Sequence, residues 1–305
     1  MKFRRIRSPD GSNIERQALR DGAWRTIENA RSAFTPEWEL EAADRLGLSP
    51  SLPLLPIQPL SFRDFMLFER HAVDAARGYA KRFMPGRYKL AHALERLSGA
   101  TFPPFKPAPL WYRQPIYYMS NHLAFVPSGA PVRGPSYSGA LDYELELGFI
   151  LAQPLFNASA EEATRAIGAF VVLNDFSARD LQFAEMRSGF GPQKSKHFLS
   201  SMSGTAVTAD EIVPRLHSLT ASVRINDRLI ATPNFNEMRY SLGEALAHVS
   251  RDEHLFAGEL FGTGTLSGGS GMETGCWLKS GDRLSLMIDG VGEIHHDILS
   301  SENPA

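Results

Sequence analysis

The stretch Leu141-Asp142-Tyr143-Glu144-Leu145-Glu146-Leu147-Gly148-Phe149-Ile150 alternates apolar and acidic side chains and then turns wholly apolar. A period of two over this length predicts a β-strand with Tyr143, Leu145 and Leu147 on one face and Glu144 and Glu146 on the other. Two acids so close repel each other by roughly 1 kcal/mol or more unless a cation intervenes. A divalent ion would relieve that cost, whereas a solvated strand face would simply dilute it. The residues around the pair decide between these readings.

With 305 residues, 43% of them hydrophobic and 22% charged, the chain can build a large core. A net charge of -2 with dispersed basic residues gives no footprint for nucleic acid or an anionic membrane. The one basic cluster, Lys2-Arg4-Arg5-Arg7, reads as a strand edge with outward charges. No apolar run reaches the ~20 residues of a bilayer span, and Ser8-Pro9-Asp10-Gly11 stands where an export signal would carry its apolar core. A single cysteine, Cys276, fits a reducing compartment, so a cytoplasmic protein is expected.

Residues 1–58 read as a small β-rich unit ending in a linker stiffened by Pro50, Pro53, Pro56 and Pro59, with strands at 2–7 and 22–27; the main domain is expected over 59–305. From Phe65 to Phe83, apolar residues recur at spacings of three and four, which predicts an amphipathic helix with Asp64 as its N-cap. His71 and Asp74 share a face of that helix and can pair. Ser159 with Glu162 marks a capping box, and Ser241 with Glu244 a capped helix. The run 168–173 reads as a buried strand that ends at Asn174-Asp175. The glycine-rich segment 262–268 lacks the strand–turn–helix context of a dinucleotide site. Strand signals outnumber helices, so the expected fold class is α+β and β-rich.

Taken together, these motifs resemble the fumarylacetoacetate hydrolase family over residues 60–298. The family holds a divalent cation with an early aspartate, an E-x-E strand and a later aspartate in an N-D-x-[ST]-A-R segment; the matching residues are Asp64, Glu144, Glu146 and Asp175. A catalytic histidine seven residues after the first aspartate matches His71. The lysine of a K-x-F segment matches Lys196, the glutamine after the N-D-x-S-A-R-D run matches Gln182, and a G-T-x-S-G turn matches Gly264 to Gly268. The resemblance further implies substrate contacts from Tyr118, Arg179, Met186 and Thr265. It also implies a mixed β-sandwich roll of the family's C-terminal type behind a small N-terminal β domain, and a homodimer. Met186 and Met66 stand where the pattern has tyrosines and Ala80 where it has an arginine, which makes the expected pocket less polar.

Four carboxylates without imidazole or thiolate suit Mg²⁺ or Mn²⁺, with Ca²⁺ also accommodated, and not zinc. The reading that follows is metal-dependent hydrolysis of the C–C bond of a small β-dicarbonyl compound. In it His71 is the general base, oriented by Asp74 or by Glu273, and Lys196 and Gln182 stabilise the oxyanion. The same metal-held enolate would also serve a decarboxylase or keto–enol isomerase of a 2-keto diacid. A binder without turnover would need no general base.

Overall fold

The computed structural model describes residues 1–28 and 32–300. The elements used below are strands β1 (Lys2–Arg7), β2 (Ile14–Arg20) and β3 (Ala23–Ile27), helix α1 (Pro36–Arg45), β4 (Phe62–Phe65), α2 (Glu69–Phe83), α3 (Pro85–Ser98), β5 (Tyr117–Ser120), β6 (Leu145–Leu151), α4 (Ala160–Ala166), β7 (Ile167–Asn174), α5 (Arg179–Arg187), β8 (Thr205–Thr208), β9 (Ala221–Ile225), β10 (Arg228–Ala231), α6 (Leu242–Val249), β11 (Leu260–Gly262), α7 (Gly271–Thr274), β12 (Arg283–Ile288) and β13 (Gly292–Leu299). Among the described residues the large sheet runs β3-β2-β1-β8-β7-β6-β11-β4-β5, and a second sheet runs β10-β9-β12-β13 and on to Val132–Arg133.

The main core fills the space between the two sheets. Leu145, Leu147, Phe149, Phe170 and Val172 from β6 and β7 meet Val223, Leu284, Leu286, Ile288 and Ile294 from the second sheet. Burial of this kind contributes about 25 cal/mol for each Å² of apolar surface removed from water. The sandwich thus matches the expected β-rich α+β class. The opposite face of the large sheet carries a smaller core of Phe3, Phe62, Phe125, Ile150, Val171 and Leu260. Because side chains alternate along a strand, Glu146 lies on this second face with Ile150, and Asp64 lies there with Phe62.

Three local expectations are corrected. The helix begins at Glu69 and not at Phe65; residues 62–65 pair with both β11 and β5, so Asp64 is a strand residue and not an N-cap. An apolar-rich segment carries the helical period and the strand equally well, and pairing to neighbours decides which one forms. The N-terminal strands do not stand apart, since β1 is bonded to β8 in the large sheet. Nor is β1 an edge: its other side pairs with β2, and Arg5 and Arg7 bind Glu39 and Asp44 of α1. Strand β2 and helix α1, neither of them expected, complete this layer. Both expected capping boxes are present, at Ser159–Glu162 and Ser241–Glu244. No helix among the described residues is long and apolar enough to cross a membrane.

Candidate active site

Asp64 on β4, Glu146 on β6 and Asp175 just after β7 come together at one end of the sheet, each with a carboxylate oxygen within 4.8 Å of the others. All three are buried. Asp64 Oδ1 and both Glu146 carboxylate oxygens have no hydrogen-bond partner. Burial, then the negative neighbours, push the Asp64 carboxyl up to about 8 and raise Glu146 well above the ordinary carboxylate range. Gly262 on β11 makes room for them, because a Cβ there would overlap Asp64 Oδ1 and stand 2.7 Å from Glu146 Oε2. Unsatisfied buried oxygens normally cost about 1–3 kcal/mol each. A hard divalent cation satisfies this donor set, so the residues present fit Mg²⁺ or Mn²⁺.

Glu144, expected as a fourth ligand, takes other partners. Arg179 Nη2 donates to its Oε1 at 2.6 Å, and Lys196 Nζ binds its Oε2. Burial opposes the charge of Glu144, but Arg179, Lys196 and His71 outweigh it and keep the carboxyl well below its usual range. Lys196 also donates to Asp175 Oδ2 at 2.5 Å and so bridges Glu144 to the trio. Against the burial of its own charge, Asp175 and Glu144 raise the Lys196 pKa and hold it as an ammonium. The Tyr118 hydroxyl donates to Asp175 Oδ2, and the Ser200 hydroxyl donates to Asp175 Oδ1 at 3.3 Å.

His71 sits on the first turns of α2 with its Nδ1 2.9 Å from Glu273 Oε2 and its Nε2 3.8 Å from Glu144 Oε1. The Glu273 contact is off the line of the ring N–H, so it acts as a close ion pair more than as a hydrogen bond. Burial lowers the histidine pKa, and the charges of Glu273 and Glu144 more than reverse that, so the net shift is upward. Helix α2 can lie this close to α7 because residue 78 is glycine; a Cβ there would overlap the Met272 carbonyl. Asp74, the expected alternative orienter, points elsewhere. It accepts from Arg77 Nη1 at 2.8 Å and lies 3.5 Å from Arg70 Nε. Helical spacing put it on the right face, but the two nearby guanidiniums hold it at the helix surface.

Among the remaining expected residues, Gln182 accepts from Arg179 Nη1 at 2.8 Å, Thr265 is buried, and Met186 is exposed at 55%. The Arg179 guanidinium is committed to Asp142, Glu144 and Gln182. Asp142, which precedes Glu144 by two residues, is a buried acid outside the expected set of site residues. It is fully buried, takes Arg179 Nε at 2.9 Å and receives the backbone N–H groups of Gly271 and Met272 at 2.9 and 3.0 Å. It therefore ties α5 to the α7 turn that carries Glu273. Its signal was a third acid at the period-two spacing of Glu144 and Glu146.

The chain is similar to known proteins in sequence and in fold. Oxaloacetate tautomerase FAHD1 of Mus musculus is 27% identical over 189 residues, which span 62% of this chain and 83% of that protein. In overall shape the chain is similar to 2-hydroxyhepta-2,4-diene-1,7-dioate isomerase from Mycobacterium marinum, with a TM-score of 0.67, 19% identity and coverage of 99% of this chain and 100% of that one. It is also similar to fumarylpyruvate hydrolase from Pseudomonas aeruginosa in complex with Mn²⁺ and pyruvate, with a TM-score of 0.59, 20% identity and coverage of 82% and 92%. Residues 88–299 match the fumarylacetoacetate (FAA) hydrolase C-terminal family; Asp64 and His71 lie before that span and join it through β4 and α2. The chain belongs to the fumarylacetoacetate hydrolase family.

Proposed function

We propose that the chain is a metal-dependent keto–enol isomerase of a 2-oxo diacid such as oxaloacetate. The observation that carries this reading is the buried carboxylate trio, with Asp64 Oδ1 and both Glu146 oxygens left without donors, beside the His71–Glu273 pair. An Mg²⁺ or Mn²⁺ ion held by Asp64, Glu146 and Asp175 would supply Lewis-acid polarisation of the two substrate oxygens. His71, steadied through Nδ1 by Glu273, offers Nε2 as the base that takes a proton from the carbon next to the carbonyl. The same nitrogen returns the proton to the enol oxygen, so the reaction needs one base and no water. Lys196 keeps a fixed positive charge beside the oxygen on which negative charge develops. The oxaloacetate tautomerase activity of the mouse relative supports the substrate class.

Cleavage of a C–C bond by water is the second reading, favoured by the same His71–Glu273 pair, which has the composition of a water-activating dyad. A single experiment separates them. The decay of enol-oxaloacetate is followed at the enol absorbance with Mg²⁺, with Mn²⁺ and after EDTA, beside a panel of acylpyruvates. Metal-dependent tautomerisation without cleavage of any acylpyruvate supports the first reading; cleavage products with no tautomerisation overturn it.

A further inference from the structure

A cavity of about 850 Å³ lies on the face of the large sheet, between strands β1, β2, β6 and β7 and the cover formed by α1 with residues 32–35 and 56–58. Its apolar wall includes Phe3, Phe34, Ile57, Ile150 and Ala169. Ile150 is four residues along β6 from Glu146, or roughly 13 Å at the rise of a strand, so this space is separate from the carboxylate trio. Small residues at the wall, Gly168, Ala169, Ala257 and Gly258, leave it open.

The polar groups of the cavity do not balance. Arg5 and Arg16 both line it, and they stand directly opposite each other in the β1–β2 register. Like charges in that position destabilise a strand pair. Glu39 of α1 binds Arg5 and also accepts from the Ser32 hydroxyl at 3.2 Å. Arg16 has no carboxylate partner among the described residues; its guanidinium rests on the Phe3 ring, 4.5 Å from the centroid. The burial of Arg5 and the nearby charge of Arg16 pull the Arg5 pKa down to about 10, which still leaves it charged at neutral pH. Two guanidiniums and one carboxylate therefore face a largely apolar space of the size that small ligands occupy. A second carboxylate placed between the arginines would relieve their repulsion, and guanidinium forks suit that group.

We propose that this cavity is a binding site for a monocarboxylate with an extended apolar body, its carboxylate seated between Arg5 and Arg16. Decanoate is the probe, titrated calorimetrically into the full-length protein, with decanol as the uncharged match. Saturable binding of one decanoate per chain is expected, at least tenfold tighter than decanol and unchanged after EDTA. R16Q should weaken it at least tenfold, and A169L, which fills the wall, should abolish it. Should R16Q melt early, R16K and A169L decide, with R16K retaining binding and A169L losing it. Binding that disappears with EDTA would assign the carboxylate to the metal centre instead. That result, no binding at all, or equal binding by the wild type and A169L would overturn the proposal.

Discussion

Glu273→Gln tests the catalytic base through the group that sets it. At 2.9 Å the Glu273–His71 attraction is about 6 kcal/mol for an effective dielectric of 20. Keeping both charges out of water takes back several kcal/mol of that. A surplus of roughly 1.4–2.8 kcal/mol corresponds to a ~10- to 100-fold fall in kcat. The sign of the pH effect is fixed. Glu273 raises the His71 pKa, so its neutralisation lowers it, and the acid limb of the activity profile moves to lower pH. In the wild type that limb lies above the free imidazole value of about 6.5. By the same linkage, the stability that the ion pair contributes is full at low pH and is lost as pH rises through the raised pKa. Glu273 also caps α7: its Oε1 accepts from Gly268 N at 2.8 Å, and its Oε2 accepts from Ser270 N and Oγ at 3.1 and 2.8 Å. A glutamine can keep only one oxygen, which leaves one donor unpaired and costs roughly 1–3 kcal/mol. The assay is enol-oxaloacetate decay at saturating Mn²⁺ from pH 5.5 to 9, with a melt at each pH. Asp74→Asn is the control and should leave the profile in place, since Asp74 binds Arg77 and Arg70. An unmoved limb in Glu273→Gln, or a moved one in Asp74→Asn, would refute the assignment.

Other outcomes follow from the same geometry. His71→Ala should lower kcat by about 10²–10⁴-fold while leaving Mn²⁺ affinity in calorimetry nearly intact, because imidazole is not among the converging oxygens. Gly262→Ala should do the reverse, losing Mn²⁺ affinity through the methyl group driven against Asp64 and Glu146, with far-UV circular dichroism unchanged. Metal at 100 times its Kd should raise stability by about 2.7 kcal/mol, read as a higher melting temperature than in a verified EDTA-stripped sample. The chain is proposed to be a homodimer, so light scattering at micromolar concentration should give twice the 33.7 kDa monomer mass.

Alternation around Glu146 and the apolar run up to Asp175 were enough to read two strands, because a strand imposes that period on its own sequence; the order of the motifs carried the resemblance to the family, and the resemblance in turn implied the sandwich. His71 came in with the same resemblance, as the residue seven positions after Asp64. What the sequence left open are choices between partners brought together by folding. Asp74 lies one turn from His71 and Glu273 lies near the other end of the chain, yet Arg77 and Arg70 draw the first away while Gly78 lets α7 bring the second within 2.9 Å. Glu144 and Glu146 are indistinguishable by pattern. The packing of Arg179 and Lys196 turns Glu144 into an ion pair, and Glu146 is left with bare oxygens. The start of α2 and the joining of β1 to β8 were likewise decided by hydrogen bonds to distant strands. Periodicity reports which face a side chain occupies, and only the tertiary structure decides what that face meets.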